Sequence, residues 1–107
     1  MLIKETWRER REYNDDFQYL LIGESDLYEP YTDNIKELFQ DLQREYGKCV
    51  SKIYIDDANG KAHAIGWVFE KKQKYTDCDE YYLAETWVEL HEQEPDKTIK
   101  YHYHYLH

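Results

Sequence analysis

The stretch that decides the fold is TDNIKELFQDLQREYG, residues 32–47. Thr32 or Asp33 can accept hydrogen bonds from the first turn of a helix, and Gly47 can take the positive φ that often ends one. Apolar side chains recur at the spacing of one helical face, at Ile35, Leu38, Phe39, Leu42 and Tyr46. The stretch therefore predicts one amphipathic helix with one face to bury.

The rest of the chain alternates apolar and polar residues at period two, which is typical of strands with one buried face. Asn59-Gly60 separates two such runs and is a strong hairpin signal. Two more hairpins are predicted, joining residues 2–10 to 17–22 and residues 81–90 to 98–106. We expect an α+β fold, a single domain over residues 1–107, with an antiparallel β-sheet of about six strands in the order β-β-α-β-β-β-β and one amphipathic helix packed on one face.

Composition indicates a folded protein despite its polarity. Charged residues make up 35% of the chain and mean hydropathy is −1.02, but 17% of residues are aromatic, and disordered chains are poor in large rings. No apolar run approaches the roughly 18 residues of a membrane span, and the N-terminus lacks the apolar segment of a signal peptide. A cytoplasmic protein with no membrane contact is expected. Cys49 and Cys78 are too few for a disulfide framework.

Negative charge is concentrated in residues 75–96, which hold eight carboxylates and no Lys or Arg, in a chain of net charge −9. Strand alternation places Glu85, Trp87 and Glu89 on the face away from the core. If residues 81–90 and 98–106 form a hairpin, this row lies beside His102 and His104 on the uncovered side of the sheet. We therefore expect an acidic and aromatic surface there, and the alternative is that the N-terminal hairpin or a dimer partner covers Trp87.

The predicted helix carries a second acidic feature. Asp33, Glu37, Asp41 and Glu45 recur every four residues, about 6 Å apart along the axis. This spacing is similar to that of phosphates along one nucleic-acid strand. The alternative is an ordinary solvated helix face, on which nearby Lys and Arg residues offset the repulsion.

Together these features predict a protein-binding module, an inhibitor or adaptor that presents carboxylates and aromatic rings to a basic protein. A nuclease or another nucleic-acid-binding protein is one such partner, and size and composition resemble those of small phage- or plasmid-encoded DNA mimics. We expect no enzymatic activity and no cofactor, and a homodimer is left open. The predicted contact residues are Asp77, Asp79, Glu80, Glu85, Trp87, Glu89, Asp33, Glu37 and Asp41.

One alternative is a single-stranded nucleic-acid binder. Two basic clusters stand near Trp7 and Trp67, and basic groups beside aromatic rings are how sheets hold single strands. Trp67, however, alternates with other apolar residues, which favours the core, and a net charge of −9 repels a polyanion. The clusters consist of Arg8, Arg10, Arg11, Lys71, Lys72 and Lys74.

The other alternative is a metal-site enzyme. His102 and His104 are weak candidate ligands because they share one face of a strand, with Glu85 or Glu89 across the predicted hairpin as a third ligand. The competing interpretation is a ladder of His–Glu pairs on the surface of the sheet. We expect no metal.

Overall fold

The computed structural model describes residues 1–13 and 16–106 and confirms the predicted α+β class. The strands form one antiparallel sheet in the order β2-β1-β5-β4-β3-β6. The elements along the chain are β1 (Leu2–Tyr13), β2 (Asp16–Glu24), α1 (Ile35–Tyr46), β3 (Lys48–Asp57), β4 (Ala62–Lys74), β5 (Tyr81–His91) and β6 (Tyr101–Leu106).

The helix is capped by Asn34, the residue that follows the two predicted caps, Thr32 and Asp33. The side-chain oxygen of Asn34 accepts hydrogen bonds from the backbone N–H groups of residues 36 and 37, at 3.1 and 3.2 Å. Thr32 lies one step further out, where its hydroxyl accepts the N–H of Asn34 at 3.1 Å. The choice of Thr32 or Asp33 as the cap was therefore wrong, because the residue directly before the first helical position supplies the oxygen.

Helix α1 packs on one side of the sheet, called here the helix side. Phe39 makes an edge-to-face contact with Trp67, with 5.0 Å between the ring centroids, which confirms that Trp67 belongs to the core. Burial of each large apolar side chain contributes about 1.5–3 kcal/mol. The cluster consists of Ile3, Leu38, Leu42, Trp67, Phe69, Val88 and Leu90.

Gly47 ends the helix and starts the sheet in one step, as the sequence predicts. Its φ is 99°, and its N–H donates to the carbonyl of Gln43 at 2.9 Å. A Cβ at residue 47 would overlap the carbonyl oxygen of Glu70 on the neighbouring strand. Glycine is thus required both for the left-handed backbone and for the close approach.

Replacing Gly47 by alanine should destabilise the protein far more than the same change at Gly60. Gly60 also has a positive φ, 77°, but no atom lies within 4 Å of a Cβ built there. We expect Gly60→Ala to cost about 1 kcal/mol from the backbone alone, and Gly47→Ala about 3 kcal/mol or more because the strand must move. Urea denaturation at pH 7 measures both, and equal losses would contradict the crowding at Gly47.

Two of the three predicted hairpins are confirmed, β1–β2 and β3–β4. In the second, the carboxylate of Asp57 accepts the backbone N–H groups of Asn59 and Lys61, at 2.9 and 3.0 Å, and so builds the turn. The third predicted hairpin is wrong, because β6 pairs with β3. Strand β5 lies in the middle of the sheet with β1 and β4 on its two edges, so it has no edge left for β6.

The sheet curls away from the helix. Strands β2 and β6 stand at opposite ends of the strand order, yet Leu21 and Glu24 of β2 line the same cavity as Tyr103 and Tyr105 of β6. The trough on the side opposite α1, with β5 in its floor and β2 and β6 as its walls, is called here the cleft.

Candidate functional site

Four glutamates on the two neighbouring strands β1 and β5 are almost fully buried. Their exposed fractions are 7% for Glu5 and 6% each for Glu9, Glu85 and Glu89. Buried carboxylates are costly unless hydrogen-bond donors surround them. The donors found here come mostly from aromatic side chains.

Glu5 joins three parts of the fold on the helix side. Its two carboxylate oxygens accept hydrogen bonds from the hydroxyls of Tyr28 and Tyr46, at 2.8 and 2.7 Å. Tyr28 belongs to the segment between β2 and α1, and Tyr46 to the last turn of the helix. The hydroxyl of Ser25 also accepts the backbone N–H of Glu5 at 2.8 Å. One carboxylate therefore holds the strand, the segment and the helix together.

Glu9 lies further along the same side of β1. It accepts hydrogen bonds from the Nε of Arg11, at 2.7 Å, and from the hydroxyl of Tyr75 in the connection between β4 and β5. The hydrogen bond from Arg11 lowers the pKa of Glu9, so this carboxylate stays charged. Arg11 is thereby used in an internal pair.

Glu85, Trp87 and Glu89 point into the cleft. The indole N–H of Trp87 donates to Glu85, while Glu89 lies 3.2 Å from the Nε2 of His91. Burial and, to a smaller extent, the charge of Glu89 raise the pKa of Tyr103, which lies on the β6 wall of the cleft. The prediction that this row faces water beside His102 and His104 is wrong, because the curl of the sheet covers the side on which the row lies.

Trp87 is the centre of a small aromatic cage. The guanidinium carbon of Arg8 lies 4.1 Å from the centroid of its ring, and the ring of Tyr105 meets it edge-on at 4.9 Å. Cavities of about 370 and 300 Å³ adjoin Trp87, and Arg8, Trp87 and Tyr105 line both. Small-molecule sites begin at about 300 Å³, so each cavity can hold a small group.

The cleft continues into a more acidic region beyond Lys4, which forms an ion pair with Glu24 at 3.3 Å. A cavity of about 660 Å³ lies there, between the segment after β2 and the segment before β6. Carboxylates outnumber basic groups among its lining residues, which include Glu24, Asp26, Glu89, Glu94 and Asp96.

The predicted contact residues outside the cleft fall at two ends of the molecule. Asp77, Asp79 and Glu80 are exposed in the connection between β4 and β5, where Asp79 pairs with Lys74 at 3.0 Å. The C-terminal end of α1 lies nearest to this connection, because Gly47 packs against residue 70.

The N-terminal end of α1 lies further from that connection than the C-terminal end does. Phe39, near the N-terminal end, packs on Trp67, which comes earlier on β4 than residue 70. Asp33 and Glu37 at this end are exposed. Asp41 is half-buried, forms an ion pair with Arg44 and accepts a hydrogen bond from Tyr31. Asp33 and Glu37 therefore lie at the end of the helix away from residues 77–80.

The edge strand β2 is a feature that the sequence interpretation missed. Four consecutive apolar side chains are exposed along it, and among the described strands β2 pairs with β1 alone. An unbroken apolar run in an otherwise alternating pattern was the available signal, since such a run must expose side chains on one face or the other. The exposed fractions are 51% for Tyr19, 39% for Leu20, 64% for Leu21 and 62% for Ile22.

The candidate metal ligands lie away from the cleft. His104 places its Nε2 3.0 Å from a carboxylate oxygen of Asp56, and His102 is exposed on the same side of β6. Glu85 and Glu89 cannot serve as a third ligand, because they point into the cleft while His102 and His104 lie on the opposite face of the sheet. Within residues 1–13 and 16–106, no group of three His, Cys, Asp or Glu side chains is placed to hold a metal ion.

The two basic clusters are divided between the two sides of the sheet. Arg10, Arg11 and Lys72 line a cavity of about 600 Å³ together with tyrosines, but Asp77 and Glu80 line it too. Arg8 lies in the cleft and Lys74 pairs with Asp79. Trp67 is buried under the helix and cannot stack on a base. No continuous basic stripe results in the part of the chain that the structure describes.

Comparison with known proteins identifies no relative: no protein-family model, no curated protein and no solved structure matches the chain. Among the described residues, no helix is long and apolar enough to cross a membrane.

The two tyrosines that donate to Glu5 predict how stability responds to base. Partial burial and, to a smaller extent, the hydrogen bond to Glu5 raise the pKa of Tyr28 and of Tyr46 above the ordinary value of 10.0. Their contribution is complete below pH 10 and is lost as the pH rises towards the folded-state pKa, because the unfolded chain then ionises first. Urea denaturation between pH 7 and 11 should show this decline.

The double variant Tyr28→Phe/Tyr46→Phe should be less stable at pH 7 and should decline less steeply above pH 10. Tyr54→Phe, at an exposed position, is the matched control and should keep the wild-type slope. An unchanged slope in the double variant would contradict the role of these two hydroxyls.

Proposed function

We propose that this protein is a non-catalytic binding module that contacts a basic protein, such as a nuclease or another nucleic-acid-binding protein, as an inhibitor or adaptor. The observation that carries the proposal is the exposed edge of β2, with its four consecutive apolar side chains at residues 19–22. Exposed apolar edge strands promote pairing with other chains, and proteins without a partner usually shield them.

Charge selects the kind of partner. The apolar edge leads directly into a segment whose Glu24, Asp26 and Glu29 are exposed, and Asp33 and Glu37 follow at the start of the helix. An apolar centre with a charged rim is the usual anatomy of an interface. Because the chain has a net charge of −9, a second copy is repelled and a basic surface is attracted.

The acids of residues 77–80 extend the charged rim near the start of β2. Asp77, Asp79 and Glu80 are exposed in the connection between β4 and β5. Asp77 and Glu80 line one cavity with Arg10, and Arg10 is paired with Tyr19 of β2. These acids also add to the overall field that draws a basic partner towards the protein. Long-range attraction of this kind weakens as salt is added, because the Debye length falls to about 3 Å at 1 M.

The first test is capture from a cell lysate at low and high salt by the tagged protein. The variant Leu21→Ser/Ile22→Ser removes apolar area from the β2 edge. Tyr54→Ser/Ile65→Ser removes exposed apolar area on the helix side of the sheet and is the matched control. We expect a basic protein in stoichiometric amount, bound at least tenfold more weakly by the β2 variant and equally by the control, with circular dichroism showing that both fold.

Equal capture by the two variants would overturn the assignment of the β2 edge. Recovery of nucleic acid in place of a protein would favour the alternative binder through Arg10, Arg11 and Lys72, which share one cavity with tyrosines.

The acidic rim can be tested separately from the apolar centre. Asp33→Asn/Glu37→Gln should lower the association rate of the captured partner and flatten its salt dependence, with little change in the dissociation rate. Surface plasmon resonance at two salt concentrations measures both rates. A variant that changes only dissociation would mean that these acids make close contacts instead of attracting the partner from a distance.

A further inference from the structure

We propose that the cage around Trp87 is a recognition site for a guanidinium or ammonium group, and that Arg8 occupies it in the free protein. The proposal rests on the proposed function where the group belongs to a basic partner, since it names the side chain that the partner inserts. A free organic cation offers the same chemistry, and the two sources are distinguished below.

The aromatic part of the site is already arranged around a cation. The guanidinium of Arg8 lies over the Trp87 ring at 4.1 Å, and Tyr105 closes one side at 4.9 Å. Trp is the best ring for cation–π contacts, and aromatic cages of this kind bind quaternary ammonium and methylated lysine groups. The protein's own arginine shows that a planar cation fits against this ring.

The floor of the cleft is negative on both sides of that ring. Glu85 and Glu89 lie two residues before and after Trp87 on β5, and each is 6% exposed. Among the described residues neither forms an ion pair with Lys or Arg, and the donors to Glu85 and Glu89 come from Trp87, His91 and Tyr103. A buried carboxylate gains from a nearby cation, because neutral donors compensate only part of its lost hydration.

Arg8 is an occupant that can be displaced. It is half-buried and, within the described part of the chain, its guanidinium takes part in no ion pair. The contact with Trp87 is the interaction that holds it in the cage. A guanidinium that also approaches Glu85 or Glu89 would be held more strongly than Arg8, which forms an ion pair with neither carboxylate.

The entrance to the cage faces the edge proposed for partner binding. The cavities of about 370 and 300 Å³ on the two sides of Trp87 are lined by Tyr19 and Leu21 of β2, respectively. Tyr19 and Leu21 also belong to the exposed apolar run. A protein that docks on the β2 edge is therefore in position to extend one long basic side chain into the cleft.

The test uses N-acetyl-arginine amide as the probe and N-acetyl-citrulline amide, which has nearly the same shape without the charge, as its control. The variant Arg8→Met empties the cage while keeping most of the apolar stem. Arg44→Met, at an exposed arginine on the helix, is the matched control. We expect isothermal titration calorimetry to show at least tenfold tighter binding of the arginine probe by Arg8→Met than by the wild type or by Arg44→Met.

Two further measurements test whether the probe binds in the cage. Addition of the arginine probe to Arg8→Met should shift the indole N–H resonance of Trp87, and Arg8→Met/Tyr105→Leu should lose the gain in affinity. Tyr105 is 43% exposed, so its replacement tests the cage without emptying the core. Equal affinity for the arginine and citrulline probes, or a gain that survives the loss of Tyr105, would overturn the inference.

The source of the cation follows from the captured partner. If Arg8→Met binds the partner more tightly and Arg8→Met/Tyr105→Leu does not, the cation belongs to a protein side chain. If the arginine probe binds as expected but no protein is captured, the cage serves a free organic cation and the proposed function fails by itself. If the partner is captured equally by all of these variants and the probe does not bind, the proposed function stands and this inference fails.

Discussion

The fold depends on one constraint, that every carboxylate buried on β1 and β5 must meet a hydrogen-bond donor inside the protein. The curl of the sheet covers the face of β5 on which Glu85 and Glu89 lie, so each is only 6% exposed. Strand β1 beside it carries Glu5 and Glu9 on the helix side. The donors are largely tyrosine hydroxyls and an indole N–H. The richness in both acids and aromatics therefore follows from the interior of the protein as well as from its surface.

This arrangement makes a few contacts unusually consequential. An unsatisfied buried polar group costs about 1–3 kcal/mol, a large part of the net stability of a domain this small. Glu5 illustrates the point, because its two tyrosine partners come from the last turn of α1 and from the segment that precedes it. The sheet divides the apolar core into a cluster under the helix and a smaller cluster beside Trp87. Hydrogen bonds such as those of Glu5 therefore help to hold the helix on the sheet.

The curl of the sheet links the two proposals. It turns a face that would otherwise be flat and solvated into a cleft, and it brings the edge strand β2 to the entrance of that cleft. The exposed apolar run at residues 19–22 and the cage around Trp87 are thus two parts of one region. A basic partner held at the edge and a cation held in the cage are compatible with the same net charge of −9.

Local patterns were sufficient for the elements: the helix through its apolar stripe and Gly47, the β3–β4 hairpin through Asn59-Gly60, and the burial of Trp67 through alternation with its neighbours. Alternation also grouped Glu85, Trp87 and Glu89 on one face correctly, because a strand has period two wherever it lies. Which strand stands beside β5, and whether that face meets water, depends on long-range pairing that local periodicity does not encode. Only the tertiary structure placed β6 against β3, curled both edges over the row and brought Arg8 to Trp87, because these outcomes arise from the competition of whole strands for a limited number of edges.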